Sequence, residues 1–402
     1  MSRLRLNKIL DPSAPMAGKV ELYVGLDSKM RMIDSDGLIG IMSTQLFNRN
    51  VIINGSFDLA QRQDPTTPTV YSSLGGRVYC ADRWFISTSV GTISYKQSSN
   101  MGTPENGITG SYCGDFIRSS TADSKVLIGQ AVESLNVMHL RGRDVRVSLK
   151  MKWETDAITV RMGLAQLTAA GTANTIPKNA GTFVTAWGAN GIDPTLGANL
   201  SYITPAVGSA FGGTISGQAM TCNLTPNWTQ YSATFSIPTN VKNLILMIWT
   251  DAAIPDNLEF DMTEVDMYAG TELRPWYPIM PSEQLRLCQR YYAKTFLPAI
   301  APATTAGNLG ALIGSVAVAG NSPYASAIYW TFPSDMVITP VITLYNPQVN
   351  NNQIYNVIHT NAPTNSAGAN ITYRGCEIIC TGANAWVSGD ILRVHAVADA
   401  EI

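Results

Sequence analysis

Val145, Val147, Leu149, Met151 and Trp153 alternate without a break with Arg146, Ser148, Lys150 and Lys152. A two-residue period sends every apolar side chain to one face, so the stretch predicts a half-buried strand with a defined inside. Ile158, Val160, Met162 and Leu164 repeat the pattern, as do Tyr231, Ala233, Phe235 and Ile237. No helical period intervenes, and strands this regular predict an all-β sandwich over residues 47–278. Between Leu258 and Tyr268 the parity slips: Phe260 and Met262 share one phase, Val265 and Met267 the other. That predicts a β-bulge near Thr263. The run Leu244 to Trp249 is apolar throughout and has the length of a buried strand, not of a membrane span.

The flanking segments differ in character. Residues 1–46 read as a separate module: two alternating stretches, 19–25 and 29–33, with a third at 38–42, separated by turns. Such a β-meander holds too little apolar surface to fold alone. It is expected to pack on another subunit or protein, or as added strands on the next domain. Residues 165–220 are too long for a plain connection and predict either an extended loop region or short extra strands. Residues 279–296 carry a helical pattern. Pro281 stops the preceding strand, Ser282 is a good N-cap, and Leu285, Cys288, Tyr292 and Phe296 recur at three and four. Leu287 and Tyr291 form a second apolar strip. Two strips are more than one domain usually needs, so Leu285, Leu287, Cys288, Tyr291 and Tyr292 are candidate oligomer-interface residues. The plainer alternative is a linker helix packed inside its own chain. Residues 297–402 predict a second β unit, with strands at 327–332, 341–345, 376–380 and 391–396.

Charged residues make up only 14 % of the 402, with a net charge of −2 and interspersed signs. This argues against a nucleic-acid partner and suits homo-oligomers and sugar-binding surfaces. No stretch is long and apolar enough to insert in a membrane, and the N-terminus lacks the apolar core of a signal peptide. The six cysteines show no zinc or redox spacing and read as buried thiols of a protein made in a reducing cytosol.

Asn48-Arg-Asn-Val-Ile-Ile-Asn-Gly-Ser-Phe-Asp58, Gln61-Arg62 and Ala81-Asp-Arg-Trp84 together resemble the opening of many bacteriophage tail-fibre and related virion proteins. Cys288-Gln-Arg-Tyr-Tyr292 and Ala398-Asp-Ala-Glu-Ile402 are similar to their C-terminal region, and residues 20–34 to their attachment segment. The middle domain also resembles jelly-roll carbohydrate-binding modules, through Asn54 to Asp58, Leu140-Arg-Gly142, Trp228 to Ser232 and Glu259 to Tyr268. The resemblance implies a homotrimeric structural protein of the virion, made in the host cytoplasm. It would dock on other virion proteins through residues 1–46, trimerise through the helix, carry a C-terminal β-sandwich knob and bind a host surface glycan. The alternatives are an architectural head-fibre or capsid decoration protein and a polysaccharide-degrading tailspike. A structural calcium is common in such modules, and the match makes Asp58 and Asp261 its candidate ligands.

No catalytic motif appears, so the expectation is a protein that is not an enzyme. His139, His359 and His395 lie at no metal spacing, and Asp256, Glu259, Asp261 and Glu264 read as the solvent face of a strand rather than a glycosidase pair. Exposed aromatics are the better lead, because a sugar's CH-rich face stacks on them. Trp187 and Trp386 are the candidate carbohydrate-binding residues, whereas Trp276 and Trp330 read as caps on the core.

Overall fold

The computed structural model describes residues 49–402, apart from 66, 100–107, 119–122, 154–157, 256–258, 317–326, 360–364 and 382–386. Before residue 49 it describes four short strands and Ser35. The chain divides into two compact units, 1–49 and 50–402. The first holds a four-stranded sheet. Lys8–Ile9 runs parallel to Glu21–Gly25, which continues antiparallel through Met30–Ile33 and Ile39–Ile41. The last three strands are the expected meander, and its buried side chains, Tyr23 and Ile33, share one face.

The second unit is built on two antiparallel sheets. The six-stranded sheet runs Thr229–Ser236, Asp144–Trp153, Glu259–Ala269, Cys113–Arg118, Ile93–Ser98 and Thr69–Tyr71. The eight-stranded sheet runs Thr214–Ser216, Ala219–Leu224, Ile158–Leu167, Asn243–Thr250, Val126–Val132, Trp84–Thr88 and Val78–Ala81, with Leu200–Ile203 also paired to Ile158–Leu167. From Val126 onward the long strands alternate between the two sheets, the hand-over of a jelly-roll sandwich. Val145, Val147, Leu149, Met151 and Trp153 all face the shared core. Each such side chain contributes about 1.5–3 kcal/mol by leaving water.

The predicted bulge is present. Ser148 pairs with Asp266 but Lys150 with Thr263, so two residues on one strand stand opposite Leu149. Glu264 absorbs the extra length at φ +52.

The insertion at 165–220 takes the second of its two expected forms. Val184–Ala186, Thr195–Leu196, Leu200–Ile203 and Thr214–Ser216 are short extra strands. They explain why Leu244 to Trp249 is apolar on both faces. Leu244, Leu246 and Ile248 point into the sandwich, while Ile245, Met247 and Trp249 point the other way, onto Phe183, Val184 and Ile176 of the insertion.

The helix departs from its prediction. It spans Pro281–Gln289, nine residues, with Met280 at the N-cap and Pro281 in the first turn, where a missing N–H costs nothing. Ser282 does not cap it. Tyr292 is not helical at all: Tyr292–Lys294 is a strand paired with Ile391–Asp399. The spacing of Tyr292 and Phe296 matched a helical period while a partner strand a hundred residues away fixed the backbone otherwise. Cys288, Tyr291 and Tyr292 are buried within their own chain, Cys288 and Tyr291 against Ile53 and Tyr292 against Phe296 and Val397. They are therefore not available as an oligomer seam. Leu285 and Leu287 are half-buried.

Ile391–Asp399 organises the C-terminal strands. Tyr292–Lys294, Leu312–Ser315, Val341–Tyr345 and Tyr355–Asn356 all pair with it. A three-stranded sheet of Ala327–Thr331, Gly375–Thr381 and Asn365–Ile371 packs alongside, and Trp330 is buried in their common core. This region is not separate from the sandwich. Residues 50–402 form one unit, because Ile402 enters the outer apolar cluster of the eight-stranded sheet and Glu401 is buried against Arg83 and Arg62.

Candidate functional site

The residues that alternate with the core along Asp144–Trp153 face outward from the six-stranded sheet, and cross-strand register lines them up with their neighbours. Lys96 is opposite Asp115, Asp115 opposite Asp261, and Asp261 opposite Lys152. This makes one row across four strands, two acids side by side with a lysine at either end. Lys96 Nζ lies 2.8 Å from Asp115 Oδ2, and Lys152 Nζ 2.9 Å from Asp261 Oδ2. Trp228 flanks the row, its ring centroid 5.3 Å from Lys152 Nζ.

In the next row Thr263, Lys150 and Gln230 stand side by side. The bulge turns Glu264 to this face, where its carboxylate takes Lys150 Nζ at 2.7 Å, Thr109 Oγ1 at 2.9 Å and the Gly110 N–H at 3.0 Å. Arg274 grips Asp266 through two hydrogen bonds of 2.9 Å and lies 3.8 Å over the Tyr268 ring. A cleft of about 380 Å³ opens beside them, lined by Thr109, Lys150, Gln230, Glu264, Arg274 and Trp276. Trp276 is half-buried. Its indole N–H and that of Trp228 find no hydrogen-bond partner among the described residues. The neighbouring Tyr277 is 55 % exposed.

The acids of the first row are driven toward their neutral forms. Burial pushes the Asp115 carboxyl up to about 8; Lys96 opposes this, while Asp261 and Glu259 add to it. Burial likewise pushes Asp261 up to about 6 against the pull of Lys152. A carboxyl whose folded pKa exceeds its unfolded value contributes stability that is whole below the unfolded pKa and is lost as pH rises through the folded one. Asp115→Asn is therefore expected to gain stability relative to the wild type as pH rises from 5 to 8, where the native carboxyl has to ionise in its buried place. Calorimetric melting at the two pH values reads this, and an equal offset at both would refute it.

The sequence candidates are distributed unevenly over this geometry. The acids that come together are Asp115, Glu259 and Asp261, with ligand oxygens within 4.8 Å. Asp58 is not among them: its carboxylate accepts the Ser56 hydroxyl. Asp261 is already neutralised by Lys152. Asp58 with Asp261 is thus a donor set that does not fit a hard cation, which needs several unengaged oxygens. Trp187 is half-buried on the other sheet, packed on the cluster of Phe85, Phe183 and Trp249. Trp386 lies outside the described residues. Trp276, expected as a core cap, is instead a wall of the cleft. Of the basic residues that alternate with the core along Asp144–Trp153, only Lys150 lines the cleft, while Arg146 is buried against Ser209, Ser232 and Thr234. The available signal for the cleft was the phase slip near Thr263 followed closely by Trp276 and Tyr277.

No family model and no curated protein matches this sequence. Among solved structures, the CBM22-1 and GH10 modules of a Clostridium thermocellum xylanase complexed with xylohexaose are 16 % identical. That match covers 47 % of this chain and 26 % of that one, with a TM-score of 0.27. The enzymatically active domain of bacteriophage CBA120 tailspike protein 4 is 11 % identical over 55 % of this chain and 21 % of its own, at 0.30. A CBM61 module in complex with β-1,4-galactotriose is 10 % identical over 55 % and 99 %, at 0.28. The chain thus spans about a quarter of the xylanase and a fifth of the tailspike domain. Likenesses this slight carry no argument, and the chemistry of the cleft has to be read from the chain's own residues.

Proposed function

We propose that this protein is a non-enzymatic glycan-binding protein whose site is the cleft on the outer face of the six-stranded sheet. The observation that carries the reading is the placement of Trp276 beside Gln230, Thr109 and Lys150. An aromatic wall takes the CH-rich face of a sugar ring, and the amide and hydroxyl groups bond its hydroxyls. The charges of the cleft are matched internally, Lys150 with Glu264 and Arg274 with Asp266, which favours a neutral saccharide over a uronate or sulfated one. A binding role rather than hydrolysis is supported by the state of Glu264. It is the one carboxylate lining the cleft among the described residues, and it already takes Lys150, Thr109 and Gly110. A glycosidase needs two carboxyl groups across an open position.

The wider setting is a bacteriophage fibre displaying several copies, in which many weak contacts add up on a host surface. The motifs of the N-terminal and C-terminal segments support it. Assembly through the helix is no longer part of this reading, because Cys288, Tyr291 and Tyr292 are buried in their own chain.

Titrating the protein with xylohexaose, galactotriose and purified host polysaccharide is expected to reveal a neutral ligand. Trp276→Ala should weaken its binding at least ~10-fold, the loss expected on removing an aromatic anchor. Undiminished binding by that variant would remove the cleft from consideration. Release of reducing ends from the polysaccharide would favour the tailspike alternative.

A further inference from the structure

We propose a second, independent saccharide site on the opposite sheet, built by the insertion at 165–220. It is a cleft of about 340 Å³ lined by Asp193, Leu196, Leu200, Ser201, Tyr202 and Gln218. The inference rests on the reading above only in taking the ligand to be a sugar; the residues are different.

The polar wall is held from behind. Arg161 is buried, with a side chain only 1 % exposed, and its Nη1 lies 3.1 Å from Asp193 Oδ1 and 3.7 Å from Asp251 Oδ1. Its Nη2 donates to the Ser216 carbonyl. Asp193 Oδ2 accepts the Gln218 N–H at 3.0 Å. That bond depends on the tight turn before Gln218, where Gly217 sits at φ +65 and a Cβ would come within 3.0 Å of the Asp193 carboxylate. The other oxygen, Asp193 Oδ1, is buried and faces the Arg161 guanidinium. A buried guanidinium thus fixes the carboxylate in place, with 12 % of the side chain left open where Asp193 lines the cleft. The Ser201 hydroxyl accepts from Gln166 at 3.2 Å, so its own proton remains to be donated.

The apolar wall faces it. Tyr202 is anchored by its hydroxyl to the Pro194 carbonyl at 2.9 Å, and its ring lies 6.0 Å from that of Trp249. Leu196 and Leu200 pack on the same apolar cluster. One wall of CH and aromatic surface opposite one of fixed acceptors and donors suits a ring with an apolar face and equatorial hydroxyls. The charges balance: Arg161 and Lys125 stand against Asp193 and Asp251, with Lys125 Nζ bonded to the carbonyls of Gly188 and Asp251. The ligand is therefore neutral. The volume is at the small end of ligand clefts, which run from about 300 to 1,000 Å³, and points to one or two sugar units. Two sites on opposite sheets would let one chain bridge two glycan strands.

The test uses the full chain and a panel of methyl glycosides and disaccharides of gluco, galacto, manno and xylo configuration. Calorimetric stoichiometry is read for wild type, Asp193→Asn, Gln218→Ala and Trp276→Ala. Gln218 is exposed, so its variant guards against misfolding. We expect a second binding event that Asp193→Asn removes and Gln218→Ala weakens, with Trp276→Ala leaving it intact. Wild type showing no event sensitive to either Asp193→Asn or Gln218→Ala would overturn the proposal. Loss of all binding in Trp276→Ala would overturn it too. The reverse result, binding abolished by Asp193→Asn and untouched by Trp276→Ala, would uphold this site and remove the first.

Discussion

Glu401→Ala is expected to lower the unfolding free energy by about 3–5 kcal/mol, the cost of breaking a buried ion pair from one side. Glu401 and Arg83 are each 1 % exposed in their side chains and pair directly. Arg62 bridges Glu401 at 3.1 Å and Asp399 at 2.9 Å. Both guanidiniums also lie over tyrosine rings, Arg83 at 3.4 Å from that of Tyr291 and Arg62 at 3.9 Å from that of Tyr292. Removing the Glu401 carboxylate leaves Arg83 charged, buried and without a counter-ion. Arg62 would lose less, since Asp399 remains. The double variant Arg83→Met with Glu401→Leu separates the two components of this effect. A buried pair replaced by apolar groups of similar volume is often close to neutral, so the double variant should recover much of the loss. Urea unfolding of the three proteins reads both numbers. An unchanged midpoint for Glu401→Ala would mean that the end of the chain does not hold the C-terminal sheet to the sandwich.

That cluster could not be found in the sequence, and the reason is separation. Arg62 and Glu401 are 339 residues apart, and nothing local marks either as buried. Strands with one wet face were legible because parity alone decides which side chains go in. The run at 244–249 was legible as a strand, but its second buried face became intelligible only with the insertion in place. The helix was half legible. Gln284 and Cys288 are its buried residues, while Tyr292 followed a helical spacing and a strand's backbone. The cleft was hidden for a different reason. Each of Lys150, Gln230 and Glu264 reads singly as a solvated strand residue, and only their cross-strand register, the bulge and the return of the chain at Trp276 make them one surface.

Gly55→Ala is expected to be among the most damaging single-methyl additions, costing about 3 kcal/mol, the upper part of the range for overpacking a well-filled site. A Cβ at Gly55 would stand 2.2 Å from the carbonyl oxygen of Val265, and no rotamer change can relieve a clash between two backbones. The same two residues are joined by the bond from the Val265 N–H to the Gly55 carbonyl, at 3.0 Å. The surrounding turn cannot yield easily. Asn54 and Phe57 both hold φ +57. Asn54 is fully buried, bonded through its side chain to Leu59 and Asp82, and its carbonyl takes the Trp84 indole N–H at 2.9 Å. The strain must therefore pass to the other side, the bulge at Glu264 and Val265. Glu264 is the group that holds Lys150 and Thr109 in the cleft, so the variant should lose glycan affinity even under conditions where it remains folded. Ser56→Ala, one residue on, carries no such clash and serves as the control. Unfolding midpoints and saccharide titrations on the two variants decide the matter: if Gly55→Ala behaves like Ser56→Ala in both, the Asn54 to Asp58 turn is not what positions the bulge.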